Sequence, residues 1–222
     1  MQVVAFDFAA KQERTLAEAE WPAGPRLEFF YWITAAPGEE ARLAELLGRL
    51  GAPPAIAALV QAPQPEAHYE LYEEAIHFTL AEARLDDRTL KTDTLGCLLG
   101  ENFLAVLAPA ASPMLEKIRR IYREDFRKFA RSSGFLLYEL GAHLLEAQRR
   151  MYQTYEDEAE RVQNRLFGEV ADEIFAEVAG LTGDIFAFRR TVLATRDLFN
   201  DLATRKSAFV AESSQPALDI MA

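Results

Sequence analysis

Residues 95–107, Leu95-Gly96-Cys97-Leu98-Leu99-Gly100-Glu101-Asn102-Phe103-Leu104-Ala105-Val106-Leu107, run on through Ala108-Pro109-Ala110-Ala111 into Ser112-Pro113-Met114-Leu115. Within this stretch the apolar period changes from that of a strand to that of a helix. Leu95, Cys97 and Leu99 alternate, Phe103 to Leu107 form a second apolar run, and Gly100-Glu101-Asn102 between them supplies the turn of an antiparallel hairpin. Ser112 then offers a hydroxyl to cap a helix, and Pro113 suits its first position, where no backbone N–H is needed. Leu115, Ile118, Ile121/Tyr122, Phe126 and Phe129 follow at helical spacing. Strands are therefore expected before residue 112 and helices after it.

Toward the N-terminus, strand-like alternation recurs in Val4/Phe6/Phe8, in the aromatic run Leu27-Glu28-Phe29-Phe30-Tyr31-Trp32-Ile33, and in Ile76/Phe78/Leu80. Between them Pro37 is read as opening a helix with Leu43, Leu46, Leu47 and Leu50 on one face, stopped by Gly51. Pro53, Pro54, Pro63 and Pro65 bracket Ala55 to Val60, read as one or two helical turns. Toward the C-terminus, a second helix runs from Gly134 to Phe167. After Gly168 a third carries Ile174, Val178, Leu181, Ile185, Phe188, Val192, Thr195, Phe199, Leu202 and Phe209, spaced alternately by four and three apart from a skipped position at Lys206. At 1.5 Å per residue each of these two helices is about 50 Å long, so they are expected to pair as an antiparallel hairpin projecting from the first part, or to pack on other copies. Phe167-Gly168-Glu169 is the short connection such a hairpin needs. The fold class is thus α+β: a mixed α/β domain over residues 1–111 with a sheet and flanking helices, then a helical region over 112–222.

Composition narrows the function. The 222 residues are 50% hydrophobic and carry 24 basic against 35 acidic side chains, a net charge of -11. That charge opposes binding to nucleic acid or to an anionic lipid surface and favours cations as partners. Residues 1–110 hold 8 basic and 17 acidic side chains, and residues 111–222 hold 16 and 18, which again marks a boundary near 111. The longest weakly polar stretch, around Gly51 to Val60, falls far short of the roughly 20 apolar residues that span a bilayer. The N-terminus lacks the basic and apolar regions of a secretion signal, and the single cysteine forms no internal disulfide. A cytoplasmic location is expected.

Catalysis finds little support. Cys97 lies in an apolar alternation, and His68, His77 and His143 are far apart in sequence with no motif around them. There is no glycine-rich phosphate loop and no paired-cysteine or His-x-x-x-His metal spacing. No enzymatic role and no bound cofactor are expected. The basic run from Lys117 to Arg131 is interleaved with Glu116, Glu124 and Asp125, which reads as a solvated helix face and not a nucleic-acid site. Carboxylates are the better lead, because hard cations such as Mg²⁺ take oxygen ligands and keep several waters. Glu156, Asp157 and Glu160 fall at i, i+1 and i+4 on the second helix, and Glu70, Glu73 and Glu74 cluster in the first domain. The plainer reading of each cluster is a solvated face, with Asp157 free to pair with Arg161.

From Phe29 to its end the chain resembles the soluble N-terminal part of the CorA family of divalent-cation transporters, which includes a zinc-transporting ZntB branch. Tyr31-Trp32-Ile33-Thr34 with the following Pro37-Gly38-Glu39-Glu40 is similar to the family's Trp-Ile-Asp-Leu strand and helix. Gln64-Pro65 and Tyr69-Glu70-Leu71-Tyr72-Glu73-Glu74 resemble its Arg-Pro-Lys-Val-Glu segment and the aromatic strand after it. Leu98-Leu99-Gly100-Glu101-Asn102-Phe103-Leu104 looks like its strand-turn-strand, Phe135-Leu136-Leu137-Tyr138-Glu139-Leu140 like the start of its first long helix, and Phe188-Arg189-Arg190 to Leu198 like a stretch of its second.

The resemblance implies a cation-sensing, gating domain on the cytoplasmic side of the inner membrane, in a homopentameric transporter whose transmembrane part and Gly-Met-Asn signature this sequence does not contain. It also implies Mg²⁺, or another divalent cation, as ligand between neighbouring subunits, held by paired acids. One member of that pair is replaced here: Pro54-Ala55-Ile56-Ala57-Ala58-Leu59 places Ala58 and Leu59 where the acids would stand. The other is approximated by Pro216-Ala217-Leu218-Asp219-Ile220, one residue short, making Asp219 a candidate ligand. The expectation is weak Mg²⁺ sensing, or sensing through the Glu156/Asp157/Glu160 face. A stand-alone scaffold that kept the domain without a pore is the alternative.

Overall fold

The computed structural model describes residues 1–26, 28–86, 89–109, 112–166, 172–205, 207–210 and 218. Its strands are β1 (Gln2–Asp7), β2 (Gln12–Leu16), β3 (Phe30–Ala35), β4 (His68–Leu71), β5 (Ile76–Asp86), β6 (Thr89–Leu99) and β7 (Phe103–Leu107). Its α-helices are α1 (Glu40–Arg49), α2 (Pro54–Leu59), α3 (Pro113–Phe129), α4 (Gly134–Leu166) and α5 (Asp172–Thr204). The strands form one sheet in the order β2-β1-β3-β7-β6-β5-β4. Every neighbouring pair is antiparallel except β3 and β7. The hairpin expected around Gly100-Glu101-Asn102 is present, with Gly96 to Leu99 opposite Leu107 to Leu104.

Helices cover both sheet faces, which is why the central strands read as nearly continuous apolar runs. In β3, Tyr31 and Ile33 turn to one side, where Leu43, Leu46 and Leu47 of α1 and Ala57 of α2 pack. Trp32 turns to the other, against a core built by Ile118, Tyr122 and Phe126 of α3, Leu136, Leu140 and Leu144 of α4, and Leu198, Phe199 and Leu202 of α5. The result is a three-layer α/β/α arrangement.

Several boundaries differ from expectation for identifiable reasons. Pro37 does not open α1. Gly38 takes the left-handed conformation (φ 93°), and the Glu39 carboxylate accepts a bond from the Ala36 N–H (3.0 Å), so a turn intervenes and the helix starts at Glu40. Gly51 ends it as anticipated, also left-handed (φ 95°). Ser112 caps α3, its hydroxyl accepting from the Leu115 N–H (3.3 Å). The last helix stops at Thr204 and does not reach Phe209, which packs against the core from outside any helix.

The α4–α5 pair is antiparallel: Gln148 donates to Thr195 (2.9 Å), Tyr155 meets Phe188 (5.5 Å between rings), and Arg161 binds Glu177. It does not project freely. The outer half of the β5–β6 ribbon runs beneath it, and Ala83 with Leu85 and Leu90 packs on Met151, Tyr155 and Phe188. The anticipated seam of α5 also drifts: Ile185 is exposed, while Asp184 takes the inward turn and accepts from the Leu90 N–H (3.3 Å). A straight helix drifts about 20° per heptad from a 3.5-residue repeat. Phe167-Gly168-Glu169 lies outside the described residues.

Candidate functional site

Glu156, Asp157 and Glu160 all lie exposed on α4. A rise of 1.5 Å per residue puts Glu156 and Glu160 one turn apart, with Asp157 about 100° around the helix, so the three make a broad acidic face. Tyr152 donates to Glu156, and this bond holds the tyrosine hydroxyl above its ordinary range. The expected Asp157–Arg161 pair gives way to another. Arg161 turns to Glu158 (2.8 Å) and across to Glu177 of α5, clamping the two helices. Asp219 lies outside the described residues. Ala58 and Leu59 sit at the C-terminal end of α2, Ala58 exposed and Leu59 half-buried. Among the described residues no three or more His, Cys, Asp or Glu side chains are gathered as a ready metal site.

The basic run of α3 is largely paired off. Lys117 binds Glu146 (2.5 Å), Arg123 binds Glu13 (3.2 Å), Lys128 binds Glu124 (2.5 Å), and Arg119 donates to Thr34 (2.8 Å). Cys97 is fully buried, and burial pushes its thiol far above the usual range, the opposite of what a nucleophile needs.

Three polar groupings escaped the sequence reading. In the first, Glu82 of β5 is buried and accepts from the Ser112 hydroxyl (2.7 Å) and the Met114 N–H (2.8 Å), tying the start of α3 to the sheet. Burial raises its carboxyl despite these bonds. Further along, Glu139 of α4 is also buried, with His143 3.5 Å away, and burial, aided by Asp125, pushes its carboxyl up to about 7.

In the third, register assembles what the sequence separates. His68 and Glu70 alternate onto one face of β4, and His77 of β5 stands directly opposite Glu70. Oε2 of Glu70 lies 3.9 Å from Nε2 of His68 and 3.9 Å from Nδ1 of His77, and it accepts the Tyr72 hydroxyl (2.5 Å). The period-two spacing of His68 and Glu70 was a visible signal. The position of His77 depended on strand pairing that no local pattern specifies.

What the fold and these surfaces define is a sheet domain carrying a long two-helix arm with carboxylates on its outer side. Residues 28–222 match the family model described as CorA-like Mg²⁺ transporter protein, and the chain belongs to that family. It is 24% identical over 131 residues to the cobalt/magnesium transport protein CorA of Methanocaldococcus jannaschii, a match covering 57% of this chain and 40% of that relative. The soluble domain of CorA from the same organism superposes with a TM-score of 0.80 at 16% identity, over 99% of this chain and 86% of that one. The complete CorA magnesium transporter of that organism gives 0.80 at 18% identity, over 100% of this chain and 68% of that one. At such identities these two likenesses are of fold. The family is one of transporters and not of enzymes, and among the described residues no helix is long and apolar enough to cross a membrane.

Proposed function

We propose that this chain is the cytoplasmic, cation-sensing regulatory domain of a CorA-like divalent-cation transporter, working as a homo-oligomer of pentameric form beside the inner membrane. The observation that carries the reading is the family match over residues 28–222, with a fold that follows 68% of a complete transporter. Mg²⁺ keeps much of its hydration shell and needs only one or two carboxylates from the protein. The exposed Glu156/Asp157/Glu160 face of α4 suits such outer-sphere attraction. With Ala58 and Leu59 in place of acids, Asp219 lacks the partner carboxylate that would make a tight inter-subunit site. Sensing is accordingly weak and electrostatic: bound cation offsets repulsion between subunits, and its loss loosens their packing.

Isothermal titration of the chain with Mg²⁺ and Co²⁺, paired with light scattering across the Mg²⁺ range, tests this. Millimolar, salt-sensitive binding that weakens in the E156Q/D157N/E160Q variant is the expected result. Submillimolar Mg²⁺ affinity unchanged by that variant and by D219N would refute it.

A further inference from the structure

A cavity of about 740 Å³ opens on the α1 side of the sheet, where the β1–β2 hairpin meets the loop that follows it. We propose that it binds a small organic carboxylate, a planar acid head on an apolar body, at a place unrelated to the acidic face of α4. Strand register builds the floor: Ala5 pairs with Arg14 on one side and with Tyr31 on the other, so the three share one face. Trp21, Pro22 and Phe29 of the loop supply apolar walls. Sites for small molecules are clefts of roughly 300–1,000 Å³, mostly apolar with a few convergent polar groups, and this cavity has that make-up.

The polar groups call for an anion. Tyr31 is only 3% exposed, yet among the described residues its hydroxyl has no hydrogen-bond partner. The Trp21 indole N–H is likewise buried without one. An indole N–H only donates and a neutral phenol donates readily, so acceptor oxygens are what satisfies both. Burial holds the Tyr31 hydroxyl above its ordinary range, and the charge of Arg26 works against this, which sets the guanidinium near the phenol. Charge points the same way. Residues 1–110 hold only 8 basic against 17 acidic side chains, yet three of those eight, Lys11, Arg14 and Arg26, border this one cavity, together with Arg127 of α3. Its acids are largely engaged: Glu20 binds Arg14, Glu13 binds Arg123, and Asp7 accepts the Ala10 N–H (2.8 Å). Lys11, Arg26 and Arg127 have no ion-pair partner among the described residues, which leaves a local positive surplus in the acidic half of the chain. The guanidinium fork of Arg26 matches a carboxylate with two parallel hydrogen bonds. With the Asp7 carboxylate nearby, a singly charged head suits the site better than a doubly charged phosphate.

The test uses the full 222-residue chain labelled with 5-fluorotryptophan, whose two fluorine resonances belong to Trp21 and Trp32 and are assigned with Trp21→Phe. Trp32 packs on the opposite face of the sheet and serves as the control. Benzoate is expected to shift the Trp21 resonance saturably and to leave that of Trp32 in place, with benzyl alcohol and phenyl phosphate binding more weakly. Arg26→Gln, at an exposed position, is expected to weaken benzoate binding by roughly tenfold, and Tyr31→Phe, which keeps the ring in the core, by roughly threefold or more. The E156Q/D157N/E160Q variant leaves benzoate binding unchanged, so this proposal and the Mg²⁺ reading fail separately. Absence of a saturable shift at Trp21, benzyl alcohol or phenyl phosphate binding as tightly as benzoate, or affinity unaltered by both Arg26→Gln and Tyr31→Phe overturns the assignment.

Discussion

Glu139 is a carboxyl on the buried side of α4, and its energetics follow from its surroundings. Asp125 of α3 adds negative potential, and His143, one turn along α4, stands 3.5 Å away while also contacting Glu146 (3.4 Å). With the folded-state value pushed up to about 7 from an ordinary 4.5, the native chain holds this proton more tightly than the unfolded chain does. The contribution is fully present below pH 4.5 and is lost as pH rises through 7, because the buried carboxylate is then ionised. Glu139→Gln keeps the neutral shape at every pH. It is expected to raise stability at pH 8 by roughly 1–3 kcal/mol and to flatten the decline between pH 5 and 7, as measured by urea midpoints across that range. A variant that left the decline unchanged would assign it to another group.

At the scale of elements, the tightest constraint joins β6 to the end of α2. A Cβ added to Gly96 would stand 2.2 Å from the Val60 carbonyl oxygen, and backbone on both sides cannot yield cheaply. Gly96→Ala is expected to cost about 1–3 kcal/mol or more by forcing α2 off the sheet. Gly183, on α5, meets nothing within 4 Å, and alanine there is expected to stabilise by roughly 0.5–1 kcal/mol through backbone entropy and helix propensity. Thermal melts of the two single variants should therefore move in opposite directions. Gly96 also illustrates what local pattern conveys. The alternation of Leu95, Cys97 and Leu99 marks β6, and Ser112-Pro113 marks the start of α3, because both signals depend on neighbours in sequence. β2 was invisible: of Gln12, Glu13, Arg14, Thr15 and Leu16 only Leu16 is buried, so an edge strand leaves no apolar period. The outer half of the β5–β6 ribbon, where Arg84 pairs with Asp93 (2.7 Å), was hidden by the same polarity. The facing of His77 and Glu70 and the parallel union of β3 with β7 come from tertiary pairing, which short-range sequence does not encode. The acidic face of α4 was legible because its spacing lies within one helix.

For the whole molecule, the change from strands to helices near residue 111 does not divide the core. Val4, Phe6, Trp32, Phe78, Leu80, Leu95, Cys97, Leu104 and Val106 of the sheet share one buried cluster with side chains of α3, α4 and α5. Phe6 alone meets Tyr122 (5.8 Å) and Phe126 (4.9 Å), and Trp32 meets Tyr122 edge-on (5.4 Å). Each such side chain contributes roughly 1.5–3 kcal/mol when buried, while a domain's net stability is only about 5–15 kcal/mol. Removing everything after residue 111 strips one face of the sheet of its cover and exposes a continuous apolar surface of a kind that drives association. A fragment of residues 1–111 is therefore expected to aggregate or remain unfolded, and the whole chain to unfold in one cooperative transition seen alike by far-ultraviolet circular dichroism and tryptophan fluorescence. Trp32, against Tyr122, reports the joint between sheet and α3, whereas circular dichroism is dominated by the long helices. Two separated transitions, or a soluble and folded 1–111 fragment, would show that the helices fold as an independent unit and that the shared cluster is a docking contact between two domains.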